Sequence, residues 1–278
     1  MALSPYQIQQ ISFSYHSPVS NNPCFLWQLY YSKVYMLTTV IKTHKIKPEE
    51  SLFEILDTYV TKLTENIVIT IASKIISTCE NRFACKNKTK LHLIRQESEF
   101  CFAPPPNTKK FHLTLKNHRL IPNAGIDESN CNNAYMLLPK KPQLIAKKIW
   151  QYLRKRDSLK NLGVVITDSN ITPLRLGVTG IAIGWCGFKP IYDYTNQKDI
   201  FGRRLQVTQI NLLDSLATVA TLTMGEGKEQ TPITIIKNAP KINFQNRAPT
   251  YKEEQAACID PEDDLFSTVN FSLLKGIS

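Results

Sequence analysis

Two stretches decide the fold: Ile67-Val-Ile-Thr-Ile-Ala-Ser-Lys74 and Leu162-Gly-Val-Val-Ile-Thr-Asp168. Each is a short, nearly continuous apolar run rich in β-branched residues, the pattern of a strand covered on both faces. Each stops at polar residues, Ser73 and Lys74 in one case and Asp168 in the other. Helical patterns surround them. Over Pro48 to Leu63, Leu52, Leu56, Tyr59 and Leu63, with Phe53, Ile55 and Val60, form one apolar stripe. Pro48 suits the first helical position there, and Glu49 and Glu50 suit the positive end of the dipole. Gln143 to Arg156 places Leu144, Ile145, Ile149 and Leu153 on one side of a basic helix. Thr208 to Met224 reads as a long apolar-rich helix that Gly225 can cap, followed by a strand over Pro232 to Lys237. Phe111 to Leu120 predicts a strand and a turn, and Gly180 to Phe188 is a second apolar run holding three glycines. This alternation predicts an α/β or mixed α+β architecture, with sheets flanked by helices.

The chain has 278 residues, enough for a large core without a disulfide or zinc staple. Residues 1–35 are rich in Ser, Gln, Asn and Tyr and show no sustained period. They are expected to be a loose extension, with 36–278 as the working domain. No run approaches the roughly 20 apolar residues of a membrane helix, and no basic, compactly apolar secretory start is present. Seven cysteines without a CxxC pair fit a reducing cytoplasm better than a disulfide framework. The formal charge is +11. That charge suits an anionic partner such as a nucleic acid, a nucleotide or a polycarboxylate, and equally a lysine-rich solvated surface. Lys147, Lys148, Arg154, Lys155 and Arg156 on the basic helix carry the same two readings.

Familiar catalytic motifs are missing. There is no GxxxxGK[ST] or GxGxxG, no GxSxG elbow and no HExxH. What remains is a set of carboxylates in unusual settings. Asp127 lies in the small-residue turn NAGIDESN (123–130), Asp168 ends an apolar strand, and Glu226 stands between glycines in Met224-Gly-Glu-Gly227. Glycine allows close approach of backbone to a ligand, and hard cations that clamp phosphates favour carboxylate oxygens. An Asp at a strand end also serves as a helix cap, and a Glu beside Gly as a plain loop acid; at this level both stay open.

Taken together, ITIASKIISTCE (69–80), NAGIDESN (123–130), ITDSN (166–170), GVTGIAIGWCGFKP (177–190), KDIFGRRLQVTQ (198–209) and MGEGKEQTP (224–232) resemble the glutamyl ligases of the deazaflavin coenzyme F-420. The likeness runs from about Met36 to Asn238. More narrowly, Ile41-Lys-Thr43, WCGFKP, GEGKEQTP and the tail Ala239-Pro-Lys-Ile-Asn-Phe-Gln245 resemble a bacterial branch linked to folate and one-carbon metabolism. The resemblance implies a mixed α/β ligase fold, a homodimer and a cytoplasmic enzyme. It implies Asp127, Asp168, Ser169 and Glu226 as ligands of Mg2+ or Mn2+. For the nucleotide, GTP or ATP, it implies Ser73, Lys74, Asn130 and the loop Met224, Gly225, Glu226, Gly227, Lys228, Glu229, Gln230 and Thr231. The chain departs from the family's common pattern at Lys42 to Lys45, where a Gly-Leu-Pro turn is frequent, at Thr78, where Lys is frequent, and at Asn81, where Gly is frequent.

The expected reaction is ligation. A nucleoside triphosphate activates a carboxyl as an acyl phosphate, and the amine of L-glutamate attacks it, with Lys74, Lys189 and Arg203 as candidate anion-binding groups. The expected acceptor is tetrahydrofolate, with the deazaflavin F-420-0 as the alternative. A basic nucleic-acid-binding protein without catalysis is the competing class; it leaves the three acids in glycine-rich settings unexplained.

Overall fold

The computed structural model describes residues 35–104, 111–131, 133–260 and 262–268. The extension expected over 1–35 lies, but for Tyr35, outside the described residues. In chain order the elements begin with β1 (Leu37–Ile41), α1 (Leu52–Tyr59), β2 (Ile67–Ala72), α2 (Ser73–Cys79), β3 (Phe83–Ala84) and α3 (Lys90–Glu97). Next come β4 (Phe100–Cys101), β5 (Leu113–Lys116), β6 (Arg119–Pro122), β7 (Tyr135–Met136), α4 (Pro142–Asp157), β8 (Leu162–Asn170) and β9 (Thr179–Cys186). The chain continues through β10 (Ile191–Asp193), β11 (Gln209–Asn211), α5 (Leu212–Met224), β12 (Ile233–Lys237) and α6 (Tyr251–Ala256).

The main sheet runs β1-β12-β2-β8-β9. Its β2–β8 pair is parallel, and the other neighbours are antiparallel. The mixed α/β expectation therefore holds. Alternation along β2 sorts the core into two layers. Ile67, Ile69 and Ile71 join Leu56 of α1 and Ile149 and Leu153 of α4 on one face. Val68 joins Val165, Leu213, Leu216 and Ala217 on the face covered by α5. Gly180 lets α5 approach β9 closely: a Cβ there would stand 2.1 Å from the carbonyl oxygen of Ala217.

β9 is an edge strand, and side chains close it. The amide of Gln143 donates to the Trp185 carbonyl (2.9 Å) and accepts the Trp185 N–H (3.0 Å), imitating a strand pair. Arg119 Nε donates to the Ala182 carbonyl at 3.0 Å.

Four expected boundaries shift. The helix expected over Pro48 to Leu63 spans only Leu52–Tyr59. Glu49 takes a left-handed φ of 66°, and Ser51 caps the helix by accepting the Glu54 N–H, so Pro48 is not its first residue. The helix expected from Thr208 starts at Leu212, because Gln209–Asn211 pairs with β10 and Asn211 is the cap. β8 does not stop at Thr167: after a bulge between Ile166 and Thr167 it runs to Asn170, with Asp168 opposite Ile181. The apolar run from Gly180 gives a strand that ends at Cys186, short of Phe188.

The small sheets β3–β7 and β4-β5-β6, with α3, carry the turn that holds Asp127. A half-buried cluster ties them together. Glu97 accepts from Arg82 Nη2 (3.0 and 3.1 Å) and from Lys116 Nζ (2.8 Å). Burial alone would raise the Glu97 pKa, but Lys116 and Arg82 outweigh it and hold it below the usual value. That contribution to stability is present above the ordinary glutamate range (about 4.3) and is lost as pH falls through the lower folded value. We expect Glu97→Gln to lower stability by about 1–3 kcal/mol at neutral pH. In urea titrations at pH 7 and pH 3, the gap between wild type and variant should shrink at the acid end.

Candidate active site

Strand register brings four segments to one end of the sheet. β2 and β8 run parallel with Ala72 beside Thr167, so Ser73-Lys74 and Asp168-Ser169 emerge side by side. β12 starts opposite the end of β2 (Ile233 with Ile71), which places the 224–232 loop there too. β1 ends opposite the same residue (Ile41 with Ile233), so residues 42–46 close the rim.

Each acid has its own partner. The Lys74 ammonium lies 2.6 Å from Asp127 Oδ2 and donates to Ser129 Oγ at 2.9 Å. Asp127 also accepts the N–H groups of Glu128 (2.6 Å) and Ser129 (2.8 Å) and the Ser129 hydroxyl (2.9 Å). The Ser73 hydroxyl donates to Asp168 Oδ1 at 2.7 Å, and the Ser169 hydroxyl to Glu226 Oε1 at 2.7 Å. The loop is pinned at both ends: Gly225 caps α5 with φ 77°, and Thr231 Oγ1 donates to the Met224 carbonyl at 2.6 Å. Within it the Gly227 N–H donates to Glu229 Oε2 (2.8 Å), and Asn130 Nδ2 reaches the Gly227 carbonyl at 3.4 Å.

Between these segments opens a cavity of about 500 Å³. Ser73, Lys74, Asn130, Asp168, Ser169 and all of Met224 to Thr231 line it. Asp127 does not; it is reached through Lys74. Lys189 and Arg203 are not in the lining either.

The electrostatics centre on Lys74. Burial works against its charge, but Asp127 first, then Glu226 and Asp168, outweigh this and raise its pKa. Asp127 shows the reciprocal effect: burial pushes its carboxyl up, and Lys74 with the Ser129 amide brings it below the ordinary value. At Asp168 burial wins over the Ser73 hydroxyl and the Ser169 amide, and the carboxyl is pushed up to about 6.

The donor set suits a hard cation, being three carboxylates and a hydroxyl with no thiol or imidazole. Asp168, with only the Ser73 hydroxyl and the Ser169 amide as direct donors, is an acid short of positive charge. Among the described residues no three His, Cys, Asp or Glu side chains converge closely enough to hold an ion by themselves. In this arrangement the Lys74 ammonium does the neutralising.

Sequence reasoning missed the rim. Thr43, His44, Lys45 and Ile46 line the cavity, and the Thr43 N–H donates to the Gln230 carbonyl at 2.9 Å. His44 is clamped by Tyr59 Oη at Nδ1 and Glu50 at Nε2, both 2.7 Å, leaving the neighbouring Lys45 ammonium without a carboxylate partner among the described residues. The only sequence signal was the departure from Gly-Leu-Pro at these positions. Asn81, where glycine is frequent, takes a left-handed φ of 50°, which Asn tolerates.

A double-mutant cycle over Lys74→Ala and Asp127→Ala should give a coupling on the order of 1 kcal/mol, since both side chains keep about a third of their exposure and water screens the pair. Thermal unfolding of the four proteins reads it; additive single effects would show that the pair does not couple.

The profile of the family described as F420-0:Gamma-glutamyl ligase matches residues 40–238. A protein of Methanococcus maripaludis named Coenzyme F420:L-glutamate ligase is 33% identical over 217 residues, which cover 76% of this chain and 84% of that protein. The protein of the same name from Methanopyrus kandleri is 28% identical over 80% of this chain and 93% of its own length. The one from Methanocaldococcus jannaschii is 40% identical over 50% of this chain and 55% of its own. The residues that line the cavity, from Thr43 to Pro232, all fall inside the profile match. The chain belongs to the F420-0:gamma-glutamyl ligase family and is an amide-forming γ-glutamyl ligase, an enzyme for which L-glutamate is a substrate.

Proposed function

We propose that this enzyme uses a nucleoside triphosphate and Mg2+ or Mn2+ to add γ-linked L-glutamate to the carboxylate of F-420-0. The observation that carries this reading is the convergence of Ser73-Lys74, Asp168-Ser169 and the 224–231 loop on one cavity. The names of the relatives support the acceptor, in place of the tetrahydrofolate that the sequence placed first. Tetrahydrofolate stays as the second reading on one observation. The tail on which the folate-branch resemblance rests packs into the fold: Lys189 N–H donates to the Asn243 carbonyl and Gln245 N–H to the Gly187 carbonyl, beside a Phe188–Phe244 bridge.

In this reading the Lys74 and Lys45 ammoniums and the amides of the 224–231 loop hold the phosphates, with GTP and ATP both open. Asp168, Ser169 and Glu226 at the cavity, with Asp127 behind Lys74, would hold a divalent cation, and such a cation would supply charge neutralisation for the phosphates. The acceptor carboxylate attacks the γ-phosphorus, forms an acyl phosphate and releases the nucleoside diphosphate. The glutamate amine then attacks the acyl carbon, phosphate leaves, and the amine proton passes to solvent. Ser73 and Lys74, by fixing Asp168 and Asp127, keep those acids oriented between turnovers. We further propose a cytoplasmic homodimer, as the family resemblance implies. Among the described residues no helix is long and apolar enough to cross a membrane. The non-catalytic nucleic-acid reading gives way to the ligase family. Two of the basic residues it invoked have internal partners: Arg156 pairs with Asp57 and Asp157, and Arg154 lies over the Trp150 ring.

Incubation with labelled glutamate, Mg2+, ATP or GTP, and either F-420-0 or tetrahydrofolate tests the reading directly. Label is expected in F-420-0 with one nucleotide; label in tetrahydrofolate alone moves the enzyme to the second reading, and label in neither refutes both. Asp168→Asn should reduce transfer by about 100-fold or more while leaving the unfolding midpoint near wild type. A fully active Asp168→Asn enzyme would remove this residue from the metal-binding set.

A further inference from the structure

A second cavity, of about 660 Å³, lies along the closed edge of β9 and shares no lining residue with the one above. Ile183 and Trp185 of β9 form one side, and the start of α4 another. Its third side, 248–258, follows the last residue matched by the family profile, so part of this cavity lies outside the family match.

Its charge is unbalanced. Arg119, Lys140, Lys141 and Lys147 line it against two acids, Glu99 and Glu254. Glu99 is engaged by the Asn117 N–H at 2.7 Å. None of the three lysines has a carboxylate partner among the described residues. Arg119 donates to carbonyls, Nε to Ala182 (3.0 Å) and Nη1 to Asn117 (2.8 Å), and meets Asp214 only through space, with no direct carboxylate contact. Four cations against two acids leave the lining with an excess of two positive charges, and a ligand with several anionic groups complements that excess.

We propose that this cavity binds the carboxylates of a γ-glutamyl chain. A γ-linkage consumes the side-chain carboxyl and leaves one α-carboxylate free on every added residue. Such a chain therefore offers anionic groups at regular intervals, joined by methylenes that suit Leu144, Ile183 and Pro249. The inference rests on the γ-glutamyl ligase reading and adds to it a docking site for product that already carries glutamates. The cavity would hold the growing tail while the triphosphate cavity does the chemistry.

The test titrates γ-linked triglutamate into the full chain by calorimetry, for wild type and for the triple variant Lys140→Ala, Lys141→Ala, Lys147→Ala. All three lysines are exposed, so the variant should unfold at the wild-type temperature. Binding is expected to weaken roughly tenfold or more in the variant, and in wild type to weaken as salt rises. Equal affinity for both proteins, or no binding to wild type, overturns the proposal. So does a wild-type affinity for tripolyphosphate or α-linked triglutamate that matches the γ-linked probe, which would mark a generic anion patch. Single-glutamate transfer is measured on the same two proteins. Active wild type with unchanged triglutamate binding in the variant refutes this inference alone. Wild type inactive on F-420-0 with binding lost in the variant refutes the proposed acceptor and leaves the carboxylate site standing.

Discussion

The in-register parallel pairing of β2 with β8 is the constraint on which the rest depends. It ends β2 level with Thr167 of β8, so Ser73-Lys74 beyond β2 lie beside Asp168-Ser169 in the last residues of β8. Burial on both faces fixes this register. Ile67, Ile69 and Ile71 pack towards α1 and α4, Val68 packs towards α5, and a slip of one residue would exchange the two sets. The hydrophobic core thus does more than stabilise the fold. It sets which hydroxyl meets which carboxylate at the sheet end, where Ser73 meets Asp168 and Ser169 meets Glu226.

The three acids share one basic neighbour without sharing one point. Lys74 bonds Asp127 directly and feels Glu226 and Asp168 through space. Asp168, which lacks such a direct partner, is the acid that burial drives towards its neutral form. This arrangement keeps negative charge close to the cavity while giving each carboxylate a donor. The proposed binding of a polyanionic nucleotide and a cation would benefit from acids that are already oriented.

Local pattern made the central strands legible. The IVITIA run is β2 without a residue of error, because β-branched continuity leaves no rival reading. The α1 start was misplaced because a capping serine and a left-handed Glu49 compete with a proline that looks equally suited to begin a helix. The β8 end was misplaced because a bulge carries pairing past the polar Asp168. The candidate site divides in the same way. Residues in contiguous motifs, such as 224–231, could be named from the sequence. The rim over 43–46 was marked only as a departure from a Gly-Leu-Pro turn, since its place at the cavity follows from Ile41 pairing with Ile233, a contact between distant parts of the chain. The Lys74–Asp127 pair is invisible for the same reason.

The amide of Gln143 has a consequence beyond the helix that bears it. An edge strand with free N–H and C=O groups is a template on which another chain can add a strand. β9, with its Gly-Ile-Ala-Ile-Gly-Trp-Cys sequence, would be a strong template in a crowded cell. A single glutamine occupies both backbone groups of Trp185, and Arg119 occupies the Ala182 carbonyl. Protection of this kind guards against aggregation, and it lets a hydrophobic strand stay at the margin of the sheet with no strand on its outer side among the described residues.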